Sequence, residues 1–206
     1  MLVDIQRSPE WFATAFALFV LGACAWMYVV RTSDHFQLKC IVSTVDGNKY
    51  CVRDRERIAE AADLLARTAQ RCADLVQLLV DKYPEEANVQ RLQTRFDREK
   101  IVETLPTSEH TAYSENKGEK IAFCLNEETD QDSSPLIDEN TLMFVALHEL
   151  AHVASESIGH KAEFWDNFKF LLENAKAAGL YVPVDYKAQP QKYCGMKITD
   201  NPYYDR

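Results

Sequence analysis

The sequence has few residues that interrupt regular structure: 6 Gly and 7 Pro occur among 206 residues, without low-complexity tracts or internal repeats. Disordered, collagen-like and solenoid proteins are therefore excluded. Basic charge is also scarce, since 23 Lys and Arg stand against 32 Asp and Glu, giving a net charge of −9. An acidic chain is repelled by phosphate backbones, and no basic stripe with interleaved aromatic residues is present. Nucleic acid is therefore disfavoured as a partner.

Cysteines are few, and their spacing does not indicate a disulfide framework. Of the 6 cysteines, Cys24 lies in an apolar N-terminal run, and the other five contain no C-x-x-C pair. Residues 36–52 predict a hairpin that turns at Asp46-Gly47, and this register does not place Cys40 opposite Cys51. The sequence therefore predicts reduced, mostly buried thiols, in keeping with a cytosolic domain.

One long hydrophobic run is present at residues 11–30, which carry no charge. A helix of about 20 residues crosses a hydrocarbon core of about 30 Å. The sequence therefore predicts a tail at residues 1–10 followed by an uncleaved, single-pass membrane anchor. A cleaved signal peptide is the alternative, because Ala23-Cys24-Ala25 is typical of a cleavage site and the overlapping "LGAC" resembles a bacterial lipoprotein site. Acidic residues before the run, and apolar residues continuing beyond the candidate cut, favour the anchor.

The flanking charges give the anchor a weak orientation. Arg7 precedes the run, whereas Arg31, Lys39 and Lys49 follow it. Basic residues concentrate on the cytoplasmic side of membrane helices, so this distribution favours a cytosolic body.

The remaining residues, 35–206, have the length and patterning of one α+β domain. Apolar periodicity predicts helices over residues 53–83, 86–98, 139–155 and 161–178, and a strand over residues 120–125. The third helix begins after a good N-cap, Asp138, and is apolar nearly all round, which is typical of a buried helix. The alternating charges of "RDRER" (residues 53–57) predict a solvated helix start, and the last 27 residues look extended.

The buried helix contains the motif H-E-x-x-H, formed by His148, Glu149 and His152. Histidines four residues apart project from one face of a helix and can share one ion. A catalytic zinc site uses three protein ligands and leaves a position for water. Glu149 points beside the metal, where it can act as general base and then general acid. Gly159-His160 supplies a chain reversal and a third imidazole, so His148, His152 and His160 are the predicted Zn2+ ligands.

Other residues near the motif remain alternatives for individual roles. A carboxylate can replace the third imidazole, and the candidates are Glu156, Glu163 and Asp166. His35 and His110 lie far away in sequence and are predicted to be surface residues. Phe164 and Trp165 are predicted to pack in the core behind the ligands, not to contact substrate.

The segments "NKGEKIAFCLN", "HELAH" and "GHKAEFW" resemble the WLM and SprT-like group of zinc metallopeptidases over residues 112–172. The resemblance implies a minimal zincin-like fold in which an edge strand aligns the substrate peptide, carried over here to residues 120–125. The spacing from His152 to His160 is closer to that of SprT-like proteins than to the usual WLM spacing. The basic DNA-binding tails of the DNA-crosslink proteases are absent and a membrane anchor is present, so the repair role is not transferred. With "YCGM" (residues 193–196), the chain also resembles membrane-anchored WLM-like proteins of large DNA viruses and algae.

The sequence thus predicts a membrane-anchored, zinc-dependent endopeptidase whose partners are the membrane and a protein or peptide substrate. The alternative is an inactive zinc-binding scaffold that uses its long helix for protein interaction. The C-terminal segment is expected to fold over the site, where Tyr181, Tyr186 or Tyr193 could stabilise an oxyanion. Cys194 could instead be a zinc-directed latency thiol, but a buried structural cysteine is favoured over that role.

Overall fold

The computed structural model describes residues 10–32, 38–105, 107–128 and 135–205. The chain divides into two units, Met1–Gln37 and Leu38–Arg206. The predicted α+β class is confirmed, since helices and small sheets alternate along the second unit. His35, predicted to lie on the surface, falls outside the described residues.

The first unit contains one helix, α1 (Glu10–Thr32). Its segment Phe12–Val29 is long and apolar enough to cross a membrane, and none of that segment is buried inside the protein. The predicted hydrophobic helix is therefore confirmed. A signal sequence would meet the same criteria of length and composition.

Four helices of the second unit form its core. They are α2 (Ile58–Lys82), α3 (Ala87–Arg95), α4 (Glu139–Ala154) and α5 (Ala162–Ala177). As predicted, α4 is buried nearly all round, because it packs against the other three helices and against the main sheet. The apolar face of α2 also packs into this core. The predicted start of α2 at residue 53 is wrong, because the preceding strand continues through Arg53.

The main sheet has three strands in the order β3 (Ile101–Glu103), β5 (Lys120–Phe123) and β4 (Ala112–Glu115). Strand β5 runs parallel to β3 and antiparallel to β4. The prediction that residues 120–125 form an edge strand is therefore wrong, because β5 is flanked on both sides. The edge strand on the side of the histidine motif is β4.

The N-terminal hairpin pairs β1 (Leu38–Val42) with β2 (Lys49–Arg53), and its register places Cys40 opposite Cys51. These cysteines form a disulfide. The predicted register is wrong because the turn spans residues 43–48 instead of two residues. Asp63 of α2 holds this longer loop by accepting hydrogen bonds from Ser43 Oγ at 2.6 Å and Thr44 N at 2.8 Å.

The C-terminal residues form a second hairpin, β6 (Gln191–Tyr193) and β7 (Met196–Ile198), where the sequence suggested extended chain. Cys194 in its turn is disulfide-bonded to Cys124, so the possible role of Cys194 as a latency thiol is wrong. Two disulfides contradict the prediction of reduced thiols and are typical of proteins from oxidising compartments. Cysteine usage therefore no longer supports a cytosolic body.

A buried ion pair lies beside the first hairpin, where a solvated helix start was predicted. Arg53 and Arg55 are buried, and both guanidinium groups face the buried carboxylate of Glu103. The backbone N–H of Arg53 also donates to that carboxylate at 2.7 Å. The alternating charges did not reveal this arrangement because the partner lies about 50 residues along the chain.

Candidate metal centre

Helix α4 positions the first two predicted ligands. It begins after Asp138, whose carboxylate accepts a hydrogen bond from Thr141 N at 2.9 Å, as predicted for an N-cap. The spacing of four residues brings His148 and His152 onto one face, with ring centroids 5.0 Å apart. The buried helix thus carries two imidazoles at the edge of the core.

The third imidazole comes from the loop between α4 and α5. Gly159 allows the chain reversal, since its φ of +77° favours glycine. His160 Nε2 lies 3.1 Å from His148 Nε2, and one nitrogen of each of the three histidines lies within 4.8 Å of the others. Tetrahedral zinc with Zn–N distances of 2.0–2.1 Å separates its nitrogen ligands by about 3.3 Å. The cluster of His148, His152 and His160 could therefore hold a metal ion.

The electrostatics of the cluster favour neutral imidazoles. Burial, helped by the neighbouring histidines, lowers the pKa of His148 to about 3. Burial and the proximity of His160 and Lys117 lower the pKa of His152 to about 4. Neutral imidazole is the form that binds a metal ion, so these two ligands need no deprotonation near neutral pH.

Phe164 of α5 packs against the three imidazoles from the core side. Its ring centroid lies 4.8 Å from that of His148, 4.4 Å from that of His152 and 4.5 Å from that of His160. Phe164 is fully buried, which confirms its predicted packing role. The same prediction is wrong for Trp165, which is 46% exposed and lies against His160.

The carboxylates considered as third ligands do not join the three-histidine cluster among the described residues. Glu163 accepts hydrogen bonds from Glu156 N at 2.8 Å and from Ser157 N at 2.9 Å, and these bonds lower its pKa to about 2. Arg91 of α3 pairs with both Glu156 and Glu163 at 3.2 Å. Glu163 therefore braces the loop that carries His160.

A second brace comes from the turn between β4 and β5. Lys117 Nζ donates to the carbonyl oxygen of Ser157 at 2.5 Å and to that of His152 at 3.4 Å. Burial and the nearby Arg95 lower the pKa of Lys117. Gly118 in the same turn has a φ of +116°, and a Cβ there would lie 2.6 Å from the carbonyl oxygen of Arg95. The turn is thus fitted closely against α3 and the end of α4.

Glu149 lies beside the histidines without completing the ligand set. It is 4% exposed, and its Oε2 is buried and makes no hydrogen bond with any described residue. Burial raises the pKa of Glu149 to about 8. A buried, unpartnered carboxylate is costly, so its position indicates a role toward a group that enters the site.

A cavity of about 560 Å³ opens in front of the cluster. This histidine cavity is lined by the three histidines, by Glu149 and by residues of β4 and its flanking turn. His110 also lines it and is exposed, so the prediction of His110 as a surface residue is confirmed, and the structure adds its place at the cavity. The segment "NKG" is the turn of a hairpin, and His110 lies just before the first strand of that hairpin, β4. This position was the sequence signal that could have placed His110 at the cavity.

Strand β4 presents backbone groups along this cavity. Cys124 N donates to Thr111 O at 2.8 Å, and hydrogen-bonded pairs alternate along an antiparallel ladder. Tyr113 therefore bonds to β5, while the N–H and C=O of Ala112 and Ser114 point to the open edge. An extended peptide could pair with these groups.

The three tyrosines considered for an oxyanion role are all buried. Tyr181 and Tyr186 pack around Phe144, with centroid distances of 6.1 Å and 4.9 Å, so they are part of the core behind α4. Tyr193 lies near Glu149 and lines a cavity with it, but its hydroxyl is 3.2 Å from Thr111 O, to which it donates. The predicted approach of the C-terminal segment to the site is confirmed, whereas an oxyanion role stays a prediction for Tyr193.

Comparison with known proteins shows similarity to viral proteins. The chain is 29% identical over 186 residues to an uncharacterized protein of Acanthamoeba polyphaga mimivirus, covering 88% of this chain and 93% of that protein. It is 40% identical over 62 residues to an uncharacterized protein of Invertebrate iridescent virus 6, covering 30% of this chain and 34% of that protein. An uncharacterized protein of Invertebrate iridescent virus 3 is 40% identical over 101 residues, which are 49% of this chain and 57% of that protein.

No protein-family model and no solved structure matches the chain. The names of these relatives state no activity. The chain is similar over nearly its whole length to the mimivirus protein.

Proposed function

We propose that the chain is a membrane-anchored, zinc-dependent endopeptidase with a minimal zincin-like fold, related to the WLM and SprT-like group. The observation that carries the proposal is the meeting of two features at one cavity. Three imidazole nitrogens converge within 4.8 Å, and the unpartnered carboxylate of Glu149 is buried beside them. This combination matches the needs of metal-assisted peptide hydrolysis.

The donor set fits zinc. Three imidazoles with no thiolate or carboxylate among the ligands are typical of catalytic zinc, which keeps a fourth position open. Zinc, when bound, acts as a Lewis acid that acidifies water and polarises a carbonyl group. His148, His152 and His160 would hold the ion, and Phe164 would keep the imidazoles in place from behind.

Glu149 would carry out the proton transfers. It is buried beside the histidines with an oxygen that bonds to no described residue, a position from which a carboxylate can both accept and return a proton. It would accept the proton of the attacking water and deliver it to the amine that leaves when the peptide bond breaks. The edge of β4, through Ala112 and Ser114, would align the substrate backbone.

A catalytic role is better supported than the alternative of an inactive scaffold. A scaffold that binds partners through its long helix needs an unpartnered apolar face, but the apolar face of α2 is packed into the core. A scaffold also gives no reason for a buried carboxylate without a partner beside the histidines.

Glu149→Gln tests the proposal, because it preserves shape and hydrogen-bonding capacity but removes the proton acceptor. Zinc content should remain near one ion per chain, while peptide cleavage should fall by about 10²–10⁴-fold. His160→Ala should instead remove the zinc. Glu173→Gln, on the exposed side of α5, is the matched control and should change neither property. Cleavage that survives in Glu149→Gln would refute the mechanism.

The anchor is tested separately. The full-length protein should resist carbonate extraction from membranes and should retain residues 1–31 in the mature chain. A soluble protein whose N-terminus begins near Ala25 would show that α1 is a cleaved signal sequence instead.

A further inference from the structure

A second cavity, of about 310 Å³, lies between α4, the start of β4 and the β6–β7 hairpin. We call it the hairpin cavity. Its lining includes His148 and Glu149, and Ala112, so it adjoins the histidine cavity, which these three residues also line. The hairpin contributes Met196 and Ile198.

The walls of the hairpin cavity away from the metal centre are mainly apolar. Phe144 and Val145 of α4 line it together with Met196 and Ile198 of β7. The Tyr193 hydroxyl donates a hydrogen bond to Thr111 O, so Tyr193 contributes mainly its ring to the cavity wall. An apolar side chain would therefore be favoured in this space.

One acidic group at this cavity is already paired with a lysine of the same chain. Asp200 lines the cavity, and its carboxylate lies 2.9 Å from Lys187 Nζ. Lys187 also pairs with Asp205 at 3.4 Å, so it offsets only part of the negative charge.

The hairpin is held firmly enough to serve as a wall. Cys194 N donates to Asn126 O at 3.0 Å, Gly195 N donates to Glu127 O at 2.7 Å, and the disulfide joins Cys194 to Cys124. The wall is therefore fixed to the end of β5 before any ligand arrives, and a pre-formed cavity loses little binding energy to ordering.

The direction of β4 determines which part of a bound peptide would lie at the hairpin cavity. The hairpin cavity lies at the start of the strand, beside Thr111 and Ala112, whereas the histidine cavity extends past the strand to Asn116 and Lys117. Antiparallel pairing is slightly more stable per residue than parallel pairing. A peptide bound antiparallel to β4 places its C-terminal part at the start of the strand.

We propose that the hairpin cavity binds the apolar side chain of the substrate residue that follows the scissile bond, with Met196 and Ile198 as specificity-determining residues. The favoured side chains are those of Leu, Met and Phe. This inference rests on the proposed endopeptidase function and adds the substrate class to it.

The experiment measures binding and cleavage with the same peptides. Labelled peptides that vary only at the residue after the cleavage point are titrated into full-length, zinc-loaded Glu149→Gln protein in detergent. The same peptides are then incubated with wild type. Leu and Phe peptides should bind, and be cleaved, at least about 10-fold better than Asp or Gly peptides.

Met196→Trp tests the cavity wall, because Met196 is 49% exposed and the larger ring would narrow the entrance without disturbing the core. The preference for Phe over Ala should fall by about 10-fold in Met196→Trp and should persist in Met196→Ala. Lys197→Trp is the matched control, since its side chain points to the other face of the same strand and should leave the preference unchanged.

The two measurements separate the two proposals. Cleavage without any preference at this position, or a preference altered equally by Met196→Trp and Lys197→Trp, overturns the assignment of the cavity. Selective binding without cleavage by wild type overturns the endopeptidase function while supporting the cavity as a side-chain site. Absence of both selective binding and cleavage overturns both.

Discussion

The disulfide between Cys124 and Cys194 offers the most direct test of how the C-terminal segment is held. It joins the residue after the central strand to the turn of the β6–β7 hairpin. Replacing both cysteines with Ala removes the bond but keeps a Cβ at each position. Because Cys194 has a φ of +48° and Ala meets the same backbone cost there, the substitution adds no conformational strain.

The expected loss follows from the length of chain that the bond closes. For a sequence separation of 70, the chain-entropy relation gives about 4 kcal/mol of stabilisation. The bond between Cys40 and Cys51 has a separation of 11, for which the same relation gives about 3 kcal/mol. The two double variants should therefore both be destabilised, and the variant that opens the longer loop should lose more.

Thermal unfolding followed by circular dichroism, with the full-length protein in detergent, measures this difference. About 2–4 °C of Tm per kcal/mol predicts that Cys124→Ala/Cys194→Ala unfolds about 8–16 °C below wild type. Peptide selectivity at the hairpin cavity should also weaken in this variant and should persist in Cys40→Ala/Cys51→Ala. A Tm change below 2 °C, or equal loss of selectivity in both variants, would refute the reasoning.

The presence of both disulfides can be checked by counting free thiols. In the denatured but unreduced chain, alkylation should modify two cysteines, Cys24 and Cys72. Modification of all 6 would show that neither disulfide forms in the isolated protein.

Three further predictions concern the residues around the histidines. Glu163→Gln should loosen the loop of His160 and weaken zinc binding by about 10-fold in competition with a chelator, although no ligand is changed. Gly118→Ala should lower Tm, because its Cβ would meet a carbonyl oxygen at 2.6 Å, and an unchanged Tm would contradict the described turn. Ser114→Pro should weaken peptide binding without unfolding the sheet, whereas Tyr113→Pro should unfold the sheet. Equal unfolding of both variants would show that the N–H of Ser114 is not at an open edge.

The parts of the structure that the sequence predicted are those fixed by local geometry. The apolar surface of α4, its N-cap at Asp138 and the spacing of four residues between His148 and His152 all act within a few turns of one helix. Helix α5 and its end before Gly179 are likewise determined by residues close together in the sequence.

The errors have a common physical origin in contacts between distant segments. The register of the first hairpin depends on Asp63 of α2, which holds the turn through Ser43 and Thr44. Arg55 is buried where Glu103 and Asn126 provide its guanidinium with partners. Strand β5 is internal because a short strand at Ile101–Glu103 pairs with it, and three residues are too few to give a periodic signal.

The position of His160 depends both on local geometry and on contacts between distant segments. Its spacing from the motif makes it a candidate ligand, but helix geometry does not fix it, since Gly159 permits many loop conformations. Arg91 from α3, Lys117 from the β4–β5 turn and Glu163 from α5 each bond to the loop that leads to it. Three elements thus orient one imidazole toward two others that a single helix already holds. The metal affinity of the site should therefore depend on these charged residues as well as on the ligands, although removing a ligand should cost more.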